Sequence, residues 1–183
     1  LGYADRLSAY KNKGVLGLPE TVDTKRALAN KATQLADLIR KSRHTIVHTG
    51  AGISTGSGIP DFRGPKGVWT LEKKKKKASL ESDVDFELAL PSLTHMALVG
   101  LIQAGKLQFI VSQNVDGLHI RSGVPEELLA ELHGNMFCEV CKECGKSYYR
   151  PYDVNGIGCK PTGRFCTQAG CDKQELVDTT LGT

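Results

Sequence analysis

Thr45-Ile46-Val47-His48-Thr49-Gly50-Ala51-Gly52-Ile53-Ser54-Thr55-Gly56 joins a short β-prone run to a glycine-rich turn. Before it, residues 24–41 place Leu28, Ala32, Leu35 and Ile39 at spacings of four, three and four, the apolar face of an amphipathic helix. Beyond it, a second helix is expected over residues 92–104, apolar at Leu93, Ala97, Leu98 and Leu101 and closed by Gly105-Lys106. Residues 107–112 then read as a buried strand. Helix, strand, helix, strand is the alternation that builds a parallel sheet with covered faces. The fold class expected is α/β.

Bulk properties narrow the setting. A chain of 183 residues can bury one main core with a small satellite. Its 40% hydrophobic and 24% charged residues are ordinary for a globular protein, and a net charge of +4 permits acidic partners without demanding them. No stretch approaches the roughly 18 apolar residues of a membrane span, so no membrane association is expected. The opening residues Leu1-Gly2-Tyr3-Ala4-Asp5-Arg6 include neither an initiator methionine nor the apolar run of a secretory leader. All six cysteines lie from Cys138 to Cys171. One tight cluster in an enzyme-like chain points to metal rather than to a disulfide framework, and to a reducing nuclear or cytosolic setting.

Four segments carry candidate chemistry. Gly50, Ala51 and Gly52 follow a strand, where backbone amides can approach a phosphate and the next helix can point its positive end at it. The third glycine of the dinucleotide fingerprint falls one place late, at Gly56, so a simple tight turn explains the segment almost as well. Gly58-Ile59-Pro60-Asp61-Phe62-Arg63-Gly64 reads as a loop that either grips a flat polar ligand or is salt-bridged with Phe62 plugging the core. Ser112-Gln113-Asn114-Val115-Asp116 places polar residues at the carboxyl end of the second strand, where open α/β sheets bind ligands. His133, in Leu132-His133-Gly134-Asn135, becomes a candidate general base because that polar strand end precedes it.

The fourth segment is the most specific. Cys141-x2-Cys144 and Cys166-x4-Cys171 are two pairs, each able to supply one edge of a thiolate tetrahedron around zinc. A register using Cys138 and Cys141 is conceivable but leaves Cys144-Gly145 unused, and Cys159 reads as a free thiol. Four thiolates close the coordination sphere, so such a zinc is structural, and catalysis has to come from the glycine turn, the polar strand end and His133.

Taken together, these segments resemble the sirtuins in order and spacing. Gly67-Val68-Trp69-Thr70, Thr94-His95-Met96-Ala97-Leu98 and the run from Glu131 to Phe137 look most like the chromatin-associated sirtuin six branch. The resemblance implies a Rossmann-type NAD domain with a small zinc-binding module. It implies a reaction in which an acyl-lysine is deacylated while NAD is consumed, giving nicotinamide and O-acyl-ADP-ribose. Gly50, Ala51, Gly52, Thr55, Asp61, Phe62, Arg63 and Trp69 would line the NAD site, and Gln113 would contact its ribose. Asn114 and Asp116 would face the nicotinamide end, with His133 as general base. It further implies a nuclear location and acyl-lysine substrates among histones or chromatin proteins. The lysines at 73–77 read as a solvated loop, and a nucleosome or DNA contact there rests on their charge alone.

The corresponding organisation is a partial Rossmann-type domain over residues 1–133 with a loop insertion at about 70–93, and a zinc module over 134–178. The return to the first domain would begin at 179–183. Family members continue beyond a Gly-Thr turn like Gly182-Thr183 into strands that hold the adenosine. A sheet ending at this point is therefore expected to bind NAD poorly and to turn over little. The readings set against the deacylase are a mono-ADP-ribosyltransferase on the same scaffold, a vestigial zinc-stabilised binding module, and a basic chromatin-binding protein. The joint presence of Asn114, Asp116 and His133 favours an enzyme.

Overall fold

A computed structural model describes residues 15–74, 85–171 and 174–181. Helix α1 (Lys25–Lys41) starts where the Thr24 hydroxyl accepts the Ala27 amide and stops at Ser42. The chain then enters β1 (Ile46–Thr49), which pairs in parallel with β2 (Phe109–Ser112) from Ile46↔Phe109 to Thr49↔Ser112. A third parallel strand, β3 (Leu129–Glu131), adds to the far side of β2. The sheet order is β1-β2-β3.

Between β1 and β2 lie a short helix, α2 (Val68–Lys73), and α3 (Leu93–Gln103). Ser92 and His95 cap α3 reciprocally: the Ser92 hydroxyl accepts the His95 amide, and His95 Nδ1 accepts the Ser92 amide. Gly105, at φ +66°, ends the helix and turns the chain into β2. Leu98 and Val99 of α3 pack with Leu107, Ile110 and Val124 to make the main core. After β2, helix α4 (Leu118–Ser122) buries Leu118 against Ile59 and Ala89. The parallel α/β architecture expected from the helix–strand alternation is present.

The cysteine-bearing segment forms a separate antiparallel sheet in the order β5-β4-β7-β6, from β4 (Cys138–Cys141), β5 (Ser147–Tyr149), β6 (Pro161–Phe165) and β7 (Glu175–Asp178). Glu139 lies fully buried in β4 and takes ion pairs from Arg150 and Arg164 at 2.5 and 2.6 Å. A buried carboxylate needs such partners, and two guanidiniums hold three strands of this sheet in register.

Two details depart from the sequence reading. β3 was not anticipated, because three residues are too few to show a period. Residues 177–181 look like the start of a further parallel strand, yet Val177 and Asp178 belong to β7, which runs antiparallel to β4 and β6. The apolar stripe of α1 forms as expected, but no residue of that helix is buried among the described residues. Of the lysines at 73–77 only Lys73 and Lys74 are described, at the end of α2. No helix among the described residues is long and apolar enough to cross a membrane.

Candidate functional site

The three parallel strands end side by side, and the candidate residues leave from their carboxyl ends. β1 delivers Gly50, β2 delivers Gln113 and Asn114, and β3 leads through Leu132 into His133. Backbone bonds tie these exits together: Gln113 N–H donates to Thr49 C=O at 3.1 Å, and Leu132 N–H to Ser112 C=O at 2.8 Å. The site is thus an extension of the sheet.

The glycine turn does not open a helix as expected. It continues as two 3-10 turns, Ala51–Ile53 and Thr55–Ser57, separated by Ser54. Gly50 is extended there, at φ −148°, and Gly58 takes φ +86° to leave the second turn. Two single turns bring little macrodipole to the site, so any anion held here would depend on individual backbone amides.

Ser54, fully buried, is the polar hub. Its hydroxyl donates to Asp116 Oδ2 at 2.6 Å and accepts from Asn114 Nδ2 at 3.2 Å. Asn114 Nδ2 also donates to Gly50 C=O at 3.1 Å. Asp116 Oδ1 accepts the Leu118 amide at 3.0 Å and so caps the turn into α4. Asn114 and Asp116 are therefore locked against the glycine turn by side chains. Gln113, by contrast, projects outward and is exposed.

His133 is tied to the same strand end. Its Nδ1 lies 2.8 Å from the Gln113 carbonyl oxygen. A carbonyl can only accept, so Nδ1 carries the proton and the neutral ring keeps its lone pair on Nε2. That is the tautomer a general base requires.

The loop at 58–64 holds a second group of candidates. Asp61 closes the loop on itself, accepting the Gly64 amide at 2.9 Å. Phe62 and Trp69 rings lie 5.0 Å apart, and the Arg63 guanidinium sits 5.3 Å over the Trp69 ring. Phe62 is 46% exposed, so it does not plug the core. Thr55 is exposed, and its hydroxyl donates to Gly52 C=O. The loop joins the polar hub through the Ile59 amide, which donates to Ser54 C=O.

Beneath this surface two histidines are buried. His119 Nε2 lies 2.9 Å from the Thr49 hydroxyl, and the His95 and His119 rings meet edge-on at 4.9 Å. Burial lowers the pKa of both, His119 to about 4, where the neighbouring His95 lowers it further. Glu131 moves the other way: burial raises it to about 7, against the opposing hydrogen bond from Asn135.

Cys141, Cys144, Cys166 and Cys171 bring all four sulfurs within 4.8 Å of one another. The Cys141–Cys171 and Cys144–Cys166 pairs are 3.6 and 3.7 Å apart. A tetrahedron with zinc–sulfur bonds of about 2.3 Å has edges of about 3.8 Å, so the cluster fits one zinc. Burial and the other sulfurs push the Cys171 thiol up to about 12, and a cation among the four sulfurs would favour their thiolate forms. Cys138 stays outside, buried with its sulfur 3.6 Å from Glu139 C=O, and burial raises it to about 11. The register with Cys141, Cys144, Cys166 and Cys171 is the one the fold makes.

The Sir2 family model matches residues 50–173, which span the glycine turn, His133 and all four clustered cysteines. The chain belongs to the Sir2 family. It is 52% identical over 164 residues to the NAD-dependent protein deacetylase Sirt6 of Drosophila melanogaster, covering 90% of this chain and 51% of that protein. It is 53% identical over 184 residues to the NAD-dependent protein deacetylase SRT1 of Arabidopsis thaliana, covering 99% of this chain and 38% of that one. Mouse sirtuin-7 matches at 43% over 86% of this chain and 40% of its own length, so the sequence lies nearer the Sirt6 branch. The chain spans about half the length or less of these relatives. Among solved structures, a Sir2 bound to a deacetylated p53 peptide and 3'-O-acetyl ADP ribose superposes with TM-score 0.52 at 28% identity, over 81% of this chain and 64% of that one.

Sequence reasoning missed several residues that the structure packs around these candidates. Ser54 lay in a quoted motif without a role, although its place between two glycines, Gly52 and Gly56, invites a close approach. Thr49 and His119 become partners only across 70 residues of chain, which no spacing rule reveals. Glu131 and Asn135 are four residues apart and carried a local signal that went unread: a carboxylate and an amide flanking a candidate base.

Proposed function

We propose that the chain carries the NAD-dependent deacylation of protein lysines, releasing nicotinamide and O-acyl-ADP-ribose. One observation carries this reading: His133 Nδ1 is tied to the carbonyl of Gln113, the residue before Asn114 at the end of β2, which leaves Nε2 as the base. Membership of the Sir2 family supports the substrate pair, and the solved relative holding a deacetylated peptide and an acetylated ADP-ribose supports the products.

NAD, as co-substrate, supplies a ribose whose anomeric carbon receives the acyl oxygen as nicotinamide leaves. Asn114 and Asp116 are pre-positioned by Ser54, so they can meet that end of the substrate without reorganising. Phe62, Arg63 and Trp69 would cover the nucleotide, with the exposed Phe62 face excluding water. His133 Nε2 would take a ribose hydroxyl proton as that oxygen attacks the carbon of the acyl group. Gly50, Ala51, Gly52 and Thr55 would offer backbone amides and a hydroxyl to the phosphates, with Asp61 holding its loop in shape. The nearness to the Sirt6 branch supports a nuclear location and chromatin-protein substrates.

Incubation of this chain, extended at its carboxyl end by the adenosine-holding strands of the family, with NAD and an acetyl-lysine histone peptide, read by mass spectrometry, tests the proposal. Deacylated peptide with equimolar nicotinamide and O-acetyl-ADP-ribose is expected. A peptide gaining ADP-ribose while keeping its acetyl group would favour the transferase reading instead.

A further inference from the structure

We infer that Glu131, Asn135 and Thr179 are positioning residues for His133, forming a latch that sets the histidine turn against the outgoing end of the cysteine-bearing sheet. This rests on the reading of His133 as the base. The turn is closed by Gly134 N–H donating to Glu131 C=O at 3.0 Å. Across it, Asn135 Nδ2 donates to both Glu131 carboxylate oxygens, at 2.9 and 3.0 Å. Asn135 is 1% exposed and its Oδ1 accepts the Phe137 amide, so the side chain has no alternative place to go.

Thr179 supplies the other half of the latch. Its hydroxyl lies 3.0 Å from both the amide nitrogen and the carbonyl oxygen of Asn135, accepting from one and donating to the other. Thr179 directly follows β7, whose partner strand β4 carries Cys141. Leu181 N–H donates to His133 C=O at 2.9 Å. Gly134, at φ +78°, packs so closely that an added Cβ would overlap the Thr179 carbonyl. The turn therefore has one seat, and the cysteine sheet provides its floor. None of these three residues touches a cysteine of the cluster in any described contact, so the latch is separable from metal binding.

The test reads the His133 ring itself, by nitrogen NMR on the zinc-loaded protein. The wild type is expected to show the Nδ1–H tautomer as the main neutral form. Glu131→Ala removes the carboxylate that both Asn135 Nδ2 contacts reach, and Thr179→Val removes the hydroxyl that bonds the Asn135 amide and carbonyl; each should lower the tautomer ratio about fivefold, with zinc content and backbone spectrum retained. Glu131→Gln keeps an acceptor for Asn135 and should restore the wild-type ratio, as should Thr179→Ser. An unchanged ring in both Glu131→Ala and Thr179→Val overturns the inference, as does a change accompanied by loss of zinc, which would mark general unfolding. Because the readout needs no turnover, it is independent of whether the wild type proves to be a deacylase.

Discussion

Ser54 meets Asp116 and Asn114 at one hydroxyl, fully shielded from water. Ser54→Ala leaves a buried carboxylate oxygen and a buried amide each short of a partner, and an unmade buried hydrogen bond costs about 1–3 kcal/mol. A lowered melting temperature is expected, with zinc stoichiometry unchanged; an unaltered melting curve would show that the hub is not load-carrying for the fold. His133 is the contrasting case, since only Nδ1 is engaged and the chemistry falls to Nε2. In a chain completed at its carboxyl end, His133→Ala should leave fold and zinc content intact while peptide deacylation falls by about 100- to 10,000-fold. A loss of less than tenfold in a coupled nicotinamide-release assay would demote His133 to a turn residue.

At the scale of elements, the two sheets differ in how far the sequence announces them. The cysteine pairs are legible because a metal tetrahedron constrains ligands locally, with two and four residues between the members of each pair, and their sulfurs do converge. Cys144→Ser or Cys166→Ser should lose zinc, measured by native mass spectrometry, and Cys138→Ser should keep it. The reverse pattern would shift the ligand register by one pair. α1 and α3 are legible because each has enough residues to show a period, and β1 and β2 because each is a short run that follows a helix and ends at a glycine or polar turn. β3 and β7 are not, because neither is set off by a preceding long helix and each is specified by its neighbours: β3 by the parallel partner β2, β7 by Glu139, Arg164 and the strands it separates. The glycine turn misled for a physical reason too. A shifted third glycine, Gly56, goes with two 3-10 turns around the buried Ser54 in place of a helix N-terminus. The parts of the candidate site that stayed unread, Ser54, Thr49 with His119, and Glu131 with Asn135, are side chains whose partners come from other strands or sit across a turn.

For the molecule as a whole, the buried titratable groups set a stability profile with opposing slopes. His119, lowered to about 4 from its ordinary 6.5, binds its proton better when the chain is unfolded. Its contribution is fully present above 6.5 and is lost as pH falls toward 4. His95 is shifted in the same direction. Glu131, raised to about 7 from 4.5, binds its proton better in the folded chain, so its contribution is present below 4.5 and is lost as pH rises through 7. Between 4.5 and 6.5 the two kinds of group oppose each other, each with a limiting slope of about 1.4 kcal/mol per pH unit. Two histidines outweigh one carboxyl, so the wild type should lose stability on acidification from pH 6.5 to 5. Glu131→Gln removes the opposing slope and should steepen that loss, whereas His119→Gln should flatten it. Urea midpoints at pH 5.0, 5.75, 6.5 and 7.25, taken where zinc remains bound in every variant, give the slopes directly. Slope is the quantity to compare, because either substitution can also shift stability by a constant amount. If Glu131→Gln and the wild type ran parallel across this range, Glu131 would be ionised throughout, and its carboxylate would face Asn135 as a permanent charge.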